Sequence, residues 1–174
     1  MKNIVRLLSF NSYYFASNAI GLVLAIWVLR NGLTLLDVVI VLAYVLAAGW
    51  LARRLRTPSA QRARFDEIAA FDKALRDPRP TMLEFYSDNC GVCMAMKPAM
   101  DQLEQEVGHR LQMLRVNVGD AMGRVLAERY DVTVTPTFVL LNGAGFKDEA
   151  FTHVLDRRRV LHWLDQQTVA PGFG

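Results

Sequence analysis

The chain has 174 residues, of which 52% are hydrophobic, and a formal net charge of +3. This length allows one soluble domain plus an additional segment, because domains usually contain about 100–150 residues. A charge this small, with no interleaving of basic and aromatic residues, argues against nucleic-acid binding.

The N-terminal part, residues 1–56, has the composition of a membrane anchor. Two apolar runs, residues 10–29 and 33–51, are separated by a polar turn. About 20 apolar residues span a bilayer core, so the pattern predicts a hairpin of two transmembrane helices. A cleaved signal peptide is the alternative, but no small-residue cleavage site separates the two runs. The first half of the first run is less apolar, since it contains Asn11, Ser12, Ser17 and Asn18.

Basic residues predict how this anchor is oriented. The turn between the runs contains only Arg30, whereas five arginines follow the second run, at positions 53, 54, 56, 62 and 64. Residues 57–64 are therefore predicted to be a basic linker. The positive-inside rule places both ends of the hairpin, and the domain that follows, in the cytoplasm. We thus expect a multi-pass membrane protein with two spans.

The rest of the chain, residues 65–170, alternates between helical and strand-like patterns. The order is α-β-α-β-α-β-β-α, with helices and strands predicted at about 61–76, 81–87, 94–107, 111–118, 121–129, 137–141, 146–151 and 156–167. This order predicts a three-layer α/β/α sandwich around a four-stranded mixed sheet. The strands that are joined through helices are expected to be parallel, and the last hairpin to be antiparallel.

Cys90 and Cys93 are the only two cysteines, and they lie between a predicted strand and a predicted helix. The free N–H groups and the dipole at the start of a helix stabilise a thiolate, which is the reactive form of cysteine. We therefore expect Cys90, at the start of the helix, to be the exposed attacking thiol. Cys93, one turn further on, is expected to be buried and to resolve the mixed disulfide.

Three other interpretations of the cysteine pair remain open. A zinc site normally needs four ligands, and the three histidines are scattered without ligand spacing. A static disulfide that closes so short a loop would restrict the unfolded chain little. The pair could also be two buried thiols that pack as small hydrophobes. On this ligand count we expect no metal. We also expect no cofactor, because residues 143–145 form a turn and not a dinucleotide fingerprint.

From about residue 65 to 167 the chain resembles the thioredoxin family. Four local features carry the resemblance: the Cys-Gly-Val-Cys pair after a strand, Pro98 in the following helix, Thr135-Pro136 before a strand, and Glu84 six residues before Cys90. The resemblance implies a thioredoxin-like fold with a cis Thr135–Pro136 bond beside the cysteines. It also implies that Thr135, Pro136, Gly91 and Val92 contact the substrate, and that Arg115 lies near Glu84.

The function that this resemblance implies is a membrane-tethered thiol–disulfide oxidoreductase that reduces protein disulfides. Its partners would be protein disulfide substrates and a protein thiol that donates electrons. Glu84 is expected to be buried, with a raised pKa, and to move the Cys93 proton. Many anchored members of the family work outside the membrane, so an extracytoplasmic domain is the alternative location.

Three departures from the family pattern leave a second function open. Asn89 and Val92 replace the family's tryptophan and proline, and His153 stands where a glycine is usual. A redox-silent adaptor that holds a partner at the membrane is therefore the alternative. Val92 also supplies a backbone N–H that proline lacks, and we expect this donor to bond the Cys90 sulfur.

Overall fold

The computed structural model describes residues 2–31, 34–55 and 68–169. Along these residues the elements are α1 (Lys2–Phe10), α2 (Ser12–Asn31), α3 (Leu35–Leu55), α4 (Ile68–Ala74), β1 (Thr81–Tyr86), α5 (Gly91–Val107), β2 (Gln112–Asn117), α6 (Ala121–Arg129), β3 (Thr137–Leu141), β4 (Lys147–Thr152) and α7 (Arg157–Val169). The predicted basic linker, residues 57–64, and the start of the helix predicted at 61–76 lie outside the described residues.

The four strands form one mixed sheet in the order β2-β1-β3-β4, which confirms the predicted four-stranded mixed sheet. β1 is parallel to β2, and it is antiparallel to β3, which in turn pairs antiparallel with β4. The expectation that β3 would run parallel to the first two strands is therefore wrong.

The connection from β2 to β3 explains the reversed strand. It begins where the Val118 N–H donates to the Tyr86 carbonyl oxygen (2.9 Å), and it ends where Thr137 pairs with Phe85. Both points lie at the end of β1 that precedes the cysteines, so α6 does not return the chain to the opposite end of the sheet. Sequence periodicity identifies a strand but carries no information about its direction.

Helices cover both faces of the sheet, and successive residues of β1 point to opposite faces. Met82 packs with α5 and α7, whereas Leu83 and Phe85 pack with α4 and α6. Because both faces are buried, the strand is an almost continuous apolar run. Glu84 is the exception, and by the same alternation it points to the α5 side, beneath the cysteine pair.

α2 and α3 form an antiparallel pair held by two tyrosines. The Tyr13 hydroxyl donates to the Ala48 carbonyl oxygen (2.6 Å), and the Tyr44 hydroxyl donates to the Ser17 carbonyl oxygen (2.7 Å). Together with the contact between the Ser17 and Tyr44 hydroxyls (3.0 Å), these bonds fix the register of the two helices.

Of the two predicted spans, only the first meets the length and composition of a membrane-crossing helix. Among the described residues, Ser12–Arg30 is the one helical stretch long and apolar enough to cross a bilayer. The apolar part of α3, Leu35–Leu51, is shorter. The structure therefore supports one candidate span by length and composition, and not the two that the sequence predicts.

Candidate active site

The cysteine pair occupies the first turn of α5, immediately after the central strand. Cys90 is the N-cap residue, and its sulfur accepts a hydrogen bond from the Cys93 backbone N–H at 3.2 Å. The two cysteines are joined as a disulfide, with their Cα atoms 5.3 Å apart. The sequence places the start of this helix near Met94, and the structure extends it back to Gly91.

The two cysteines differ from expectation in one respect. Cys93 is 6% exposed, which confirms that it is buried, but Cys90 is only 1% exposed. The prediction that Cys90 is the exposed thiol is therefore wrong in this conformation. Cys90 packs with Tyr86 and Cys93 and faces the Thr135 carbonyl oxygen, and the N-terminal helices bond to the residues on either side of it.

We call residues 6–13, at the junction of α1 and α2, the covering segment. Its Ser12 hydroxyl oxygen accepts the Gly91 backbone N–H at 3.1 Å, next to Cys90. The backbone N–H of Tyr13 donates to the Asn89 carbonyl oxygen at 2.9 Å. Sequence reasoning missed these contacts, and the only signal for them is the group of polar residues at the start of an otherwise apolar run.

The loop before β3 borders the cysteines on the other side. The Thr135–Pro136 bond is cis, as the resemblance implies. The carbonyl oxygen of Thr135 lies 3.5 Å from the Cys90 sulfur, and the Thr135 N–H donates to the Ser9 hydroxyl oxygen at 2.9 Å. His153, which replaces a family glycine, has a φ of 74° and donates its N–H to the Pro136 carbonyl oxygen. This left-handed conformation is uncommon for a residue with a side chain.

Glu84 lies beneath the pair, as expected. It is 4% exposed, and burial raises its pKa to about 7, although the neighbouring Arg115 opposes that shift. Together with Cys93 and Lys97, Glu84 lines a cavity of about 10 Å³. A cavity of this size holds about one water molecule, which would connect the carboxyl group to the Cys93 side of the disulfide.

Arg115 is the buried counterion of this carboxylate. The pairing of β1 with β2 places Arg115 beside Glu84, and the Arg115 Nε lies 3.3 Å from a Glu84 carboxylate oxygen. A guanidinium nitrogen of Arg115 also lies 2.9 Å from Asp101 and 3.6 Å from Glu104, both on α5. Lys97 pairs with Asp101 at 2.9 Å. The two residues are four positions apart, so they lie on the same face of the helix. The site is thus a linked group of charges that extends from beneath the disulfide to the surface of α5.

Gly91 and Val92, between the cysteines, lie at the surface of the site. The Val92 side chain is exposed, and the Gly91 N–H bonds to Ser12. The hydrogen-bond donor to the Cys90 sulfur is the Cys93 N–H and not the Val92 N–H. This bond belongs to the disulfide form, so the expectation that the Val92 N–H bonds the Cys90 thiolate of the reduced form stays a prediction.

Within the ranges that the structure describes, no group of three or more His, Cys, Asp and Glu side chains is placed to hold a metal ion.

Comparison with known proteins places this site in context. The family model for thioredoxin matches residues 64–166. The thiol:disulfide interchange protein TxlA of Synechococcus elongatus is 32% identical over 80 residues, which cover 46% of this chain and 42% of TxlA. The chloroplastic thioredoxin Y of Oryza sativa is 27% identical over 103 residues, which cover 55% of this chain and 59% of that protein. The chain thus spans about half the length of these curated relatives.

Solved structures show the same fold. The germline-specific thioredoxin Deadhead of Drosophila melanogaster superposes with a TM-score of 0.50 at 24% identity, over 60% of this chain and 97% of its own. Mitochondrial thioredoxin 3 of Saccharomyces cerevisiae superposes with a TM-score of 0.52 at 19% identity, over 62% of this chain and 96% of its own. At these identities the likeness concerns the fold alone.

Proposed function

Because the chain belongs to the thioredoxin family, we propose that it is a membrane-tethered thiol–disulfide oxidoreductase that reduces protein disulfides. The observation that carries this proposal is the arrangement around the disulfide. Cys90 caps α5 beside the Thr135–Pro136 loop, and Glu84 is buried beneath Cys93.

The proposed reaction begins with both cysteines reduced. The Cys90 thiolate attacks one sulfur of a substrate disulfide, so that a mixed disulfide forms and the first substrate thiolate leaves. The Cys93 sulfur then attacks Cys90, which releases the second substrate thiolate and leaves the Cys90–Cys93 disulfide. Two electrons pass from the pair to the substrate, and thiols of a donor protein return them.

In this reaction Glu84 accepts the Cys93 proton before the second attack. A carboxyl group whose pKa is raised to about 7 is suited to this exchange, because proton transfer is most efficient when the pKa is near the working pH. Thr135, Pro136, Gly91 and Val92 would hold the substrate segment that contains the disulfide, since the Thr135 carbonyl oxygen lies 3.5 Å from the Cys90 sulfur and Gly91 and Val92 follow Cys90 in the first turn of α5.

The anchor belongs to the same proposal. Residues 1–56 would form two spans, at about 10–29 and 33–51, followed by the linker at 57–64 and the thioredoxin-like domain at 65–170. The apolar helix Ser12–Arg30 supports the first of these spans. The arginines that follow the second run favour a cytoplasmic domain, in which reducing conditions would keep the pair ready to donate electrons.

A reporter fused after Gly174 tests this topology. We expect a fluorescent protein that matures only in the cytoplasm to be bright at this position, and alkaline phosphatase to be inactive there. The same two reporters fused in the turn after Arg30 are the matched control and should give the reverse pattern. Active phosphatase after Gly174 would place the domain on the other side of the membrane.

The burial of Cys90 favours a second candidate function, a redox-silent adaptor. A redox titration of the full-length chain distinguishes the enzyme from this adaptor. Free thiols are counted by alkylation after equilibration in glutathione buffers that range from reducing to oxidising. We expect one two-electron transition in which both cysteines change together. Thiols that respond independently, or do not respond, would favour the adaptor.

A further inference from the structure

The surface beside Cys90, where the proposed function requires a substrate, is already filled by the chain itself. We propose that the covering segment, residues 6–13, is a tethered competitor for the substrate site, and that a protein disulfide reaches Cys90 only after this segment leaves. The inference rests on the proposed function, because it identifies the covered surface as the place where the substrate binds.

The first observation concerns the backbone of the Thr135 loop. The Thr135 N–H donates to the Ser9 hydroxyl oxygen at 2.9 Å, and the Ser9 hydroxyl lies 3.4 Å from the Thr135 carbonyl oxygen. An extended substrate segment that adds to this edge of the domain would need the same backbone donor and acceptor. Ser9 therefore occupies the two groups that a substrate backbone would use.

The second observation concerns the other side of Cys90. Ser12 accepts the Gly91 N–H at 3.1 Å, and the Ser87 hydroxyl donates to the Phe10 carbonyl oxygen at 2.6 Å. These bonds attach the covering segment both before and after Cys90. Together with the Ser9 contacts they place the covering segment on three sides of Cys90, which is 1% exposed although it caps a helix.

The third observation concerns the contacts that hold the covering segment on the domain. Arg6 approaches Glu128 only at 4.0 Å, and the Glu128 side chain is largely exposed, so this ion pair contributes little. A cavity of about 530 Å³ remains between the segment and the domain, lined by Leu7 and Phe10 on one side and Val118 on the other. Close packing is therefore incomplete, and polar bonds hold the segment in place, among them those that Arg6 donates to the Val132 carbonyl oxygen (3.2 Å) and Asn89 donates to Asn11 (3.3 Å).

The chemistry makes this release necessary. A substrate sulfur has to approach the Cys90 sulfur directly, and a protein disulfide brings its surrounding chain with it. With Cys90 at 1% exposure the covering segment and a protein substrate exclude each other. The tether makes the competition intramolecular, so a substrate competes against a high effective concentration of the segment.

The test uses the reduced full-length chain in detergent micelles. The rate at which a polyethylene-glycol maleimide modifies Cys90 is compared between the wild type and Ser9→Ala/Ser12→Ala, with the modified cysteine identified by mass spectrometry. Loss of the three hydrogen bonds that these two hydroxyls make should raise the rate at least about tenfold. Ser17→Ala is the matched control, because the Ser17 hydroxyl contacts Tyr44 in the helical hairpin and not the domain, and it should react at the wild-type rate.

Equal rates in the wild type and the double variant would overturn the inference. Hydrogen exchange on the wild type gives a second test that does not depend on how the variant folds. The inference requires the Gly91 and Thr135 amides to be protected, and exchange as fast as in an unstructured peptide would reject it. A tenfold faster modification without a two-electron redox transition would keep the cover and reject the oxidoreductase.

Discussion

Cys90→Ser is expected to lower the rate of protein disulfide reduction by at least about a thousandfold, because a serine hydroxyl is a poor nucleophile and cannot form the mixed disulfide. The measurement is the initial rate with a protein disulfide and a dithiol donor. Cys93→Ser is the matched comparison, since it removes one sulfur from the same helical turn. This variant should still make the first attack but should stop at the mixed disulfide.

The two variants thus separate the two proposed roles. Loss of turnover in both, with a covalent intermediate only in Cys93→Ser, is the pattern that the mechanism requires. If Cys90→Ser retained the covalent intermediate and Cys93→Ser did not, the roles of attacking and resolving cysteine would have to be exchanged.

Arg115→Met is expected to lower the free energy of unfolding by about 3–5 kcal/mol at pH 8, because it leaves the buried Glu84 carboxyl without its cation. The measurement is denaturant unfolding of the full-length chain at pH 8 and pH 5. Glu106→Gln is the surface control, since it removes a carboxylate whose partner, Arg157, is also exposed. It should change the stability little.

The pH dependence of this effect follows from the pKa of Glu84. Its folded-state value of about 7 lies above the ordinary value of 4.5, so the folded protein holds this proton more tightly than the unfolded chain does. The contribution of Glu84 to stability is therefore greatest below pH 4.5 and declines as the pH rises to about 7. Arg115→Met should cost less at pH 5, where Glu84 is protonated.

A double-mutant comparison tests the cause of this loss. Replacing the carboxyl group as well, in Glu84→Gln/Arg115→Met, should recover part of the stability at pH 8, because no charge then remains at position 84. An Arg115→Met effect that is equal at both pH values, or a double variant no more stable than the single one, would contradict the assignment of Arg115 as the counterion.

The parts of the site that the sequence predicts share one property: they are defined by residues close together in the chain or by a strong burial pattern. The spacing of Cys90 and Cys93 between a strand and a helix predicts a turn of helix that joins them, and the structure has it. A single carboxylate in the apolar run Thr81–Tyr86 predicts a buried acid, and Glu84 is one.

The parts that the sequence does not predict depend on how separate elements dock. Ser9 and Ser12 are polar residues beside an apolar run. Nothing in that pattern predicts that Ser9 bonds to a backbone group 126 positions further along the chain, or Ser12 to one 79 positions further along. The burial of Cys90, whose sulfur lies 3.5 Å from the Thr135 carbonyl oxygen of a distant loop, escapes local reasoning for the same reason. The direction of β3 escapes it for a similar reason, because burial alone does not distinguish a parallel from an antiparallel strand.

The central claim, that Cys90 reacts with protein disulfides, is tested most directly by isolating its covalent intermediate. Full-length Cys93→Ser is expressed in cells, thiols are blocked on lysis, and disulfide-linked peptides are identified by mass spectrometry. The account predicts peptides in which Cys90 is joined to a cysteine of another protein, and their absence in Cys90→Ser/Cys93→Ser. A Cys93→Ser sample in which Cys90 stays a free thiol, although the protein is folded and abundant, would contradict it.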